Sequence, residues 1–146
     1  MAEQATERMT VMASADRCFA VAAAIEDYPQ WAADIKEVIV HERDAQDRPT
    51  LVSYRAAAFG RSTTYTLAYD YADAPKALRW YLTKGDITTK LDGSYVFDEV
   101  AGGTDVTYHL EVELRVPIPG FIKLRAQSRI MGTALRELKA RVEATS

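Results

Sequence analysis

Between Gly102 and Val142 the hydrophobic positions change rhythm, from every second residue to every third or fourth. Val106, Tyr108, Leu110, Val112, Leu114 and Val116 alternate with Thr107, His109, Glu111, Glu113 and Arg115, which predicts a strand with one apolar and one wetted face. A bend rich in proline and glycine follows. Beyond it, Phe121, Leu124, Met131, Leu135, Leu138 and Val142 fall on one stripe of a long helix. Ser128 is the one position of that stripe that is not apolar. Such a gap fits either a ligand cavity behind the helix or a small buried serine bonded to its own backbone.

Upstream, a first strand is predicted from about Thr6 to Ala13, and Ser14 caps a helix that places Phe19, Ala22 and Ile25 on one face. Tyr28-Pro29 ends that helix, and a short second one containing Trp31 leads into a strand at Ile35 to Arg43. Further strands are expected at Leu51 to Phe59, Thr63 to Tyr71, Ala77 to Thr83, Leu91 to Asp98 and Thr104 to Val116. The segments between them carry Asp, Gly, Pro and Lys in turn-forming combinations. Short connections between successive strands argue for an antiparallel meander, and with the helices they make the class α+β.

Several strands are aromatic on one face. Tyr65, Tyr69 and Tyr71 share a face with Thr63 and Leu67, Trp80 shares one with Leu78 and Leu82, and Tyr95 shares one with Phe97. Each ring alone fits ordinary sheet packing. As a set on a curved sheet they fit the lining of a pocket for an aromatic or lipid-like molecule with a few polar groups. Trp31, Tyr54, Tyr65, Tyr69, Trp80, Tyr95, Phe97, Tyr108, Phe121, Leu124, Ser128 and Met131 are the candidate lining, although the alternation around Tyr54 fits either face. Arg125 joins them, because a guanidinium beside the Ser128 gap suits a carboxylate or enolate oxygen. Arg79 and Tyr81 are expected to face solvent. Gly132, in the middle of the final helix, suggests close approach to the sheet or a bend over a ligand.

Composition narrows the function. The chain has 146 residues, 48% hydrophobic, enough for one domain over residues 1–146 with a sizeable core. Its formal charge of −3 is built from interspersed acids and bases, which offers no general footprint for nucleic acid. From Phe121 to Val142, however, Lys123, Arg125, Arg129, Arg136, Lys139 and Arg141 face a single acid, Glu137. That imbalance fits a solvated helix face, an acidic partner or weak contact with an anionic membrane surface. The charged amino terminus does not read as a signal peptide and no apolar run approaches the roughly 20 residues of a membrane span, so a cytoplasmic protein is expected, as monomer or homodimer. Cys18 is the only cysteine and reads as a buried, inert thiol. Neither His41 nor His109 has a metal-ligand partner at suitable spacing, and HExxH, GxSxG, P-loop and GxGxxG patterns are absent. No metal or cofactor is expected. Acid–base chemistry by Tyr, Arg, Asp or Glu needs no linear motif and stays open.

DYPQWAADIKEV at Asp27 to Val38, RWYL and KGD between Arg79 and Asp86, LDGSYVF at Leu91 to Phe97, GGTDVTYHLEVEL at Gly102 to Leu114 and VPIPGFIK before the last helix together resemble the START-like superfamily. Within it they are most similar to bacterial polyketide cyclase/dehydrase and coenzyme Q-binding, Coq10-like proteins. The resemblance covers essentially the whole chain. It implies a helix-grip fold, with a seven-stranded antiparallel sheet wrapped round the C-terminal helix, two short helices after the first strand and a deep apolar cavity. It also implies binding or transport of a hydrophobic small molecule such as a lipid, quinone or polyketide. The alternative is an aromatase/cyclase that promotes aldol ring closure and dehydration, for which no complete set of catalytic positions is matched here. An interaction module docking through the basic helix face is a third reading. Fold does not decide among them.

Overall fold

The period-two segments form seven strands and the period-3.6 segments form helices, as described for residues 3–58, 61–115 and 117–145 in the computed structural model. Strand β1 (Glu3–Val11) leads into α1 (Ala15–Ala23), a 3-10 turn (Ile25–Asp27) and α2 (Tyr28–Trp31). Then come β2 (Ile35–Arg43), β3 (Pro49–Ala58), β4 (Arg61–Asp70), β5 (Ala77–Gly85), β6 (Thr88–Val100), β7 (Gly103–Leu114) and α3 (Gly120–Thr145). Phe59, Gly60 and Val116 lie outside the described residues. The sheet runs β1-β7-β6-β5-β4-β3-β2 with every neighbouring pair antiparallel. This is the α+β helix-grip arrangement.

Local chemistry accounts for the element ends. The Ser14 hydroxyl accepts from the Arg17 backbone N–H at 3.2 Å, relieving one of the unpaired donors of the first helical turn. Pro29 stands in the first turn of α2, where the missing N–H carries no penalty, so Tyr28-Pro29 opens the second helix; it does not end the first, which stops at Ala23 with Ile25 already in the 3-10 turn. Strand β6 begins at Thr88, earlier than its apolar alternation, because Thr88 and Lys90 pair with Leu114 and Glu113 of β7. At β2 the pairing with β3 shifts between Ile35 and Glu37, between Val40 and Glu42, and again before Arg43.

The alternation in β7 is realised at Val106, Tyr108, Leu110 and Val112, which are buried against the helices, and fades at Leu114, which is half-buried. In α3 the expected stripe holds only in its second half. Met131, Leu135, Leu138 and Val142 are buried, but toward the amino terminus the inward row continues through Gln127 and Lys123. Phe121, Leu124 and Arg125 are exposed and Ser128 is half-buried. Two apolar spacings compete at Met131. A step back of four residues selects Gln127 and then Lys123, whereas a step of three selects Ser128; packing against β7 takes the former, and the amide of Gln127 donates to the Leu110 carbonyl at 2.8 Å.

Cys18 is fully buried, and burial raises its thiol pKa, as expected of an inert thiol. Arg79 and Tyr81 face solvent as expected. Gly132 does not mark a close approach to the sheet. A Cβ there would meet the Arg136 Nη1 at 3.2 Å, the movable end of a long side chain. Gly132→Ala should therefore raise the stability of the folded chain, by up to about 1 kcal/mol, read as a higher melting temperature; a lowered one would show that the helix needs glycine there.

Candidate functional site

The concave face of the sheet and α3 do not meet everywhere, and the gap is a cavity of about 170 Å³. Its floor is aromatic. Tyr54 of β3, Tyr65 and Tyr69 of β4, Trp80 of β5, Tyr95 of β6 and Tyr108 of β7 line it, with Tyr28 and Trp31 of α2 at one side. Alternation explains the convergence, since residues two apart on a strand share a face and neighbouring antiparallel strands bring those faces into register. Tyr54 pairs with Tyr65, Tyr69 with Trp80, and Tyr95 with Tyr108. The rings form a network of two touching groups joined by the Tyr54–Tyr69 hydroxyl bond: Tyr95 and Tyr108 at 4.6 Å between centroids and Trp80 to Tyr95 at 5.3 Å in one, Tyr54 to Tyr65 at 5.3 Å in the other.

Trp80 occupies the centre of that network because Gly93 lies opposite it. A Cβ on Gly93 would stand 2.6 Å from the indole Cζ2 and 2.7 Å from the His109 carbonyl. The missing side chain is the seat of the indole. Nothing in the alternation of LDGSYVF singles out that glycine; an isolated glycine within a strand is itself the signal.

The opposite wall is made by α3. Gln127, Ile130, Thr133, Ala134 and Glu137 line the cavity, a row displaced by about a quarter-turn from the buried row of Met131, Leu135, Leu138 and Val142. Hydrophobic periodicity finds the second row and overlooks the first, whose members apart from Ile130 are short or polar. Of the residues expected from sequence, Trp31, Tyr54, Tyr65, Tyr69, Trp80, Tyr95 and Tyr108 line the cavity. Phe97 is packed instead against Phe19 and Tyr95 in the core, and Met131 is buried in the adjoining core. Phe121, Leu124, Arg125 and Ser128 stand off the lining, because the helix turns its Lys123–Gln127 row inward.

Polar groups in the cavity are few and uncharged or acidic. The Tyr28 hydroxyl donates to the Ala22 carbonyl, and the Tyr54 and Tyr69 hydroxyls bond each other. The hydroxyls of Tyr65, Tyr95 and Tyr108 bond no described residue. Burial pushes the phenols of Tyr28, Tyr54, Tyr69 and Tyr108 well above their ordinary pKa, the phenol neighbours adding to it. Tyr65 and Tyr95 are raised as well, first by burial and then by the negative charges of Asp34 and Glu137 respectively. All six are therefore neutral hydrogen-bond donors at neutral pH. Asp34 and Glu137 are the only ionisable lining residues besides the tyrosines; among the described residues, the lining contains no Lys, Arg or His.

The two acids mark one end of the cavity, at a seam between α3 and the segment after α2. Glu137 accepts from the Ala33 N–H at 3.0 Å, and Arg141 donates to the Gln30 side chain at 3.0 Å. Lys36, outside the lining, donates to the Ala33 carbonyl at 2.7 Å. Among the described residues no three His, Cys, Asp or Glu side chains converge as metal ligands.

Two measurements check this geometry. Gly93→Val should displace Trp80, destabilise the fold by about 1–3 kcal/mol as overpacking does and shift the tryptophan emission; an unchanged spectrum would mean the indole is not seated there. In alkaline titration the raised phenols bind their protons more tightly folded than unfolded. Their contribution to stability is thus complete below the ordinary phenol value of about 10 and declines as pH rises toward the folded values. Tyrosinate absorbance from the cavity should appear together with loss of near-ultraviolet circular dichroism, and appearance well before that loss would contradict the burial.

The model of a family described as polyketide cyclase/dehydrase and lipid transport matches residues 2–143. Among solved structures, a START superfamily protein from Mycobacterium smegmatis is 24% identical with a TM-score of 0.91, covering 98% of this chain and 99% of that one. The Zhui aromatase/cyclase from Streptomyces sp. R1128 is 15% identical with a TM-score of 0.85, covering 98% and 94%. A di-domain aromatase/cyclase, StfQ of the steffimycin biosynthetic pathway, is 12% identical with a TM-score of 0.81, covering 99% of this chain and 52% of that one. No curated protein matches the chain by sequence. With a family match over nearly its whole length and a START-like fold, the chain belongs to the polyketide cyclase/dehydrase and lipid-transport family.

Proposed function

We propose that the chain binds a hydrophobic small molecule in the cavity between sheet and α3, and that this molecule is a compact, uncharged aromatic compound bearing carbonyl or similar acceptor oxygens. The observation that carries the reading is the lining itself: among the described residues it holds six tyrosines and two tryptophans, three phenol hydroxyls with no described partner, two acids and no base. Rings offer stacking and edge contacts to another ring. Neutral phenols donate to acceptor oxygens, while Asp34 and Glu137 disfavour a carboxylate. Size agrees, since an apolar cavity of about 150 Å³ takes up benzene, and one of about 170 Å³ suits one or two fused rings more than a long acyl chain. Burial of apolar ligand surface, at about 25 cal/mol per Å², supplies the affinity.

A second reading, cyclase chemistry, is favoured by the family description and by the carboxylates beside neutral phenols. In it Asp34 or Glu137 takes the proton from a carbon between two carbonyls, the enolate carbon bonds to a second carbonyl carbon, and a phenol gives its proton to the resulting alkoxide. The carboxylic acid then returns its proton to the phenolate, and loss of the hydroxyl with a proton from the neighbouring carbon as water puts a double bond in the new ring. Binding comes first in either reading.

The two tryptophans of the chain, Trp31 and Trp80, both line the cavity, so intrinsic fluorescence reports occupancy. Menadione, a neutral naphthoquinone, should quench it saturably at one equivalent, with 1-naphthoate and palmitate at least about tenfold weaker. Ala134→Phe, which places a ring in the cavity, should keep the fold by thermal melting and lose the menadione response. Equal quenching in that variant, or tightest binding by naphthoate, would overturn the reading. Consumption of a poly-β-keto mimic by the wild type, abolished in Glu137→Gln with menadione binding retained, would establish the second reading.

A further inference from the structure

The first turns of α3 carry apolar side chains that the cavity does not use. Phe121 is 71% exposed, Ile122 48% and Leu124 39%, while Lys123 and Gln127 between them point inward. At 3.6 residues per turn, Phe121, Arg125 and Arg129 form one outward row, with Ile122 beside it and Leu124 at its flank. Both arginines are exposed, and neither has a hydrogen-bond or ion-pair partner among the described residues. Between Glu113 and Glu137 the sequence holds five basic residues and no acid, in a chain whose net charge is −3. Apolar surface left uncovered thus coincides with positive charge left uncompensated, a combination that soluble surfaces ordinarily avoid.

The order of these residues along the helix selects the partner. Large apolar side chains come in the first turn, and guanidiniums follow at one-turn intervals on the same side. At a membrane interface such a helix sinks its ring and aliphatic groups to the boundary between headgroups and acyl chains, and its arginines meet lipid phosphates. A polar acidic groove would match the arginines and leave Phe121 and Ile122 without apolar partners.

We propose that the amino-terminal half of α3 is a docking surface for an anionic lipid membrane, with Phe121, Ile122 and Leu124 entering the interface and Arg125 and Arg129 contacting lipid phosphates. Gln127 and Ile130, on the reverse of the same turns, line the cavity. Docking therefore sets the cavity one helix diameter from the lipid surface. The contact needs no bound ligand, so its failure and failure of the cavity reading are separate events.

Co-sedimentation with vesicles tests the surface. The protein should partition onto phosphatidylcholine vesicles containing phosphatidylglycerol, hardly onto phosphatidylcholine alone, and less as salt is raised. The doubles Phe121→Ser with Ile122→Ser and Arg125→Glu with Arg129→Glu should each lower partitioning by about tenfold or more, with melting temperatures near that of the parent because all four side chains are exposed. Tyr81→Ser, which removes an exposed ring from β5, should leave it unchanged. Equal binding to uncharged vesicles, equal loss with Tyr81→Ser, or binding to an acidic polypeptide with none to either vesicle would overturn the proposal.

Discussion

Everything in this fold depends on one long helix meeting a curved sheet along two rows that behave differently. One row of α3, Met131, Leu135, Leu138 and Val142, is fully packed and closes the core. The neighbouring row, Gln127, Ile130, Thr133, Ala134 and Glu137, leaves the cavity between itself and the aromatic floor. The helix is held firmly by the first row and kept at a distance by the second. Protein interiors pack to crystal-like density, and unfilled apolar volume costs roughly 24 cal/mol per Å³. A dry void of about 170 Å³ would cost roughly 4 kcal/mol on that scale, a sizeable share of the stability of a small domain. A hollow kept against such a cost reads as a binding site.

The cavity's chemistry follows from how its hydroxyls are engaged. Tyr28 spends its donor on a backbone carbonyl, and Tyr54 and Tyr69 satisfy one another, which fixes three rings in place. Tyr65, Tyr95 and Tyr108 are held by their strands and by ring contacts, and their hydroxyls bond no described residue. The first group builds the wall, and the second leaves its hydroxyls facing the cavity. Burial keeps the phenols protonated, so the cavity presents hydrogen-bond donors, and among the described residues its formal charges are the two acids at the α2–α3 seam.

The strands were legible from period two alone, and Ile35–Arg43 coincides with its expected limits. Most of the aromatic lining followed, since alternation assigns Tyr65, Tyr69, Trp80, Tyr95 and Tyr108 to faces without ambiguity. Tyr54 did not, because the alternation around it suits both faces. The front of α3 was misread for a physical reason: Phe121 and Leu124 look like core residues, yet the buried positions there are Lys123 and Gln127. A polar residue turned inward at a cavity or sheet edge is invisible to a hydrophobicity pattern. The role of Gly93 was equally hidden, since it depends on Trp80 standing across the strand pair.

An antiparallel sheet that does not close on itself leaves two outer strands, here β1 and β2, each with a row of backbone groups open to another chain. Strand β1 pairs with β7 in unbroken register, but α3 lies against it, and Lys139 and Glu143 bond the Thr10 carbonyl and the Met12 N–H. Strand β2 lies against the shorter α2 and the 3-10 turn instead. Its three register shifts bend the ladder, and Lys36, Glu37, Glu42 and Arg43 place charge along it. The irregular strand is thereby a poor template for sheet-to-sheet growth, and a domain that must keep an oily hollow accessible is guarded against aggregating through its own edge.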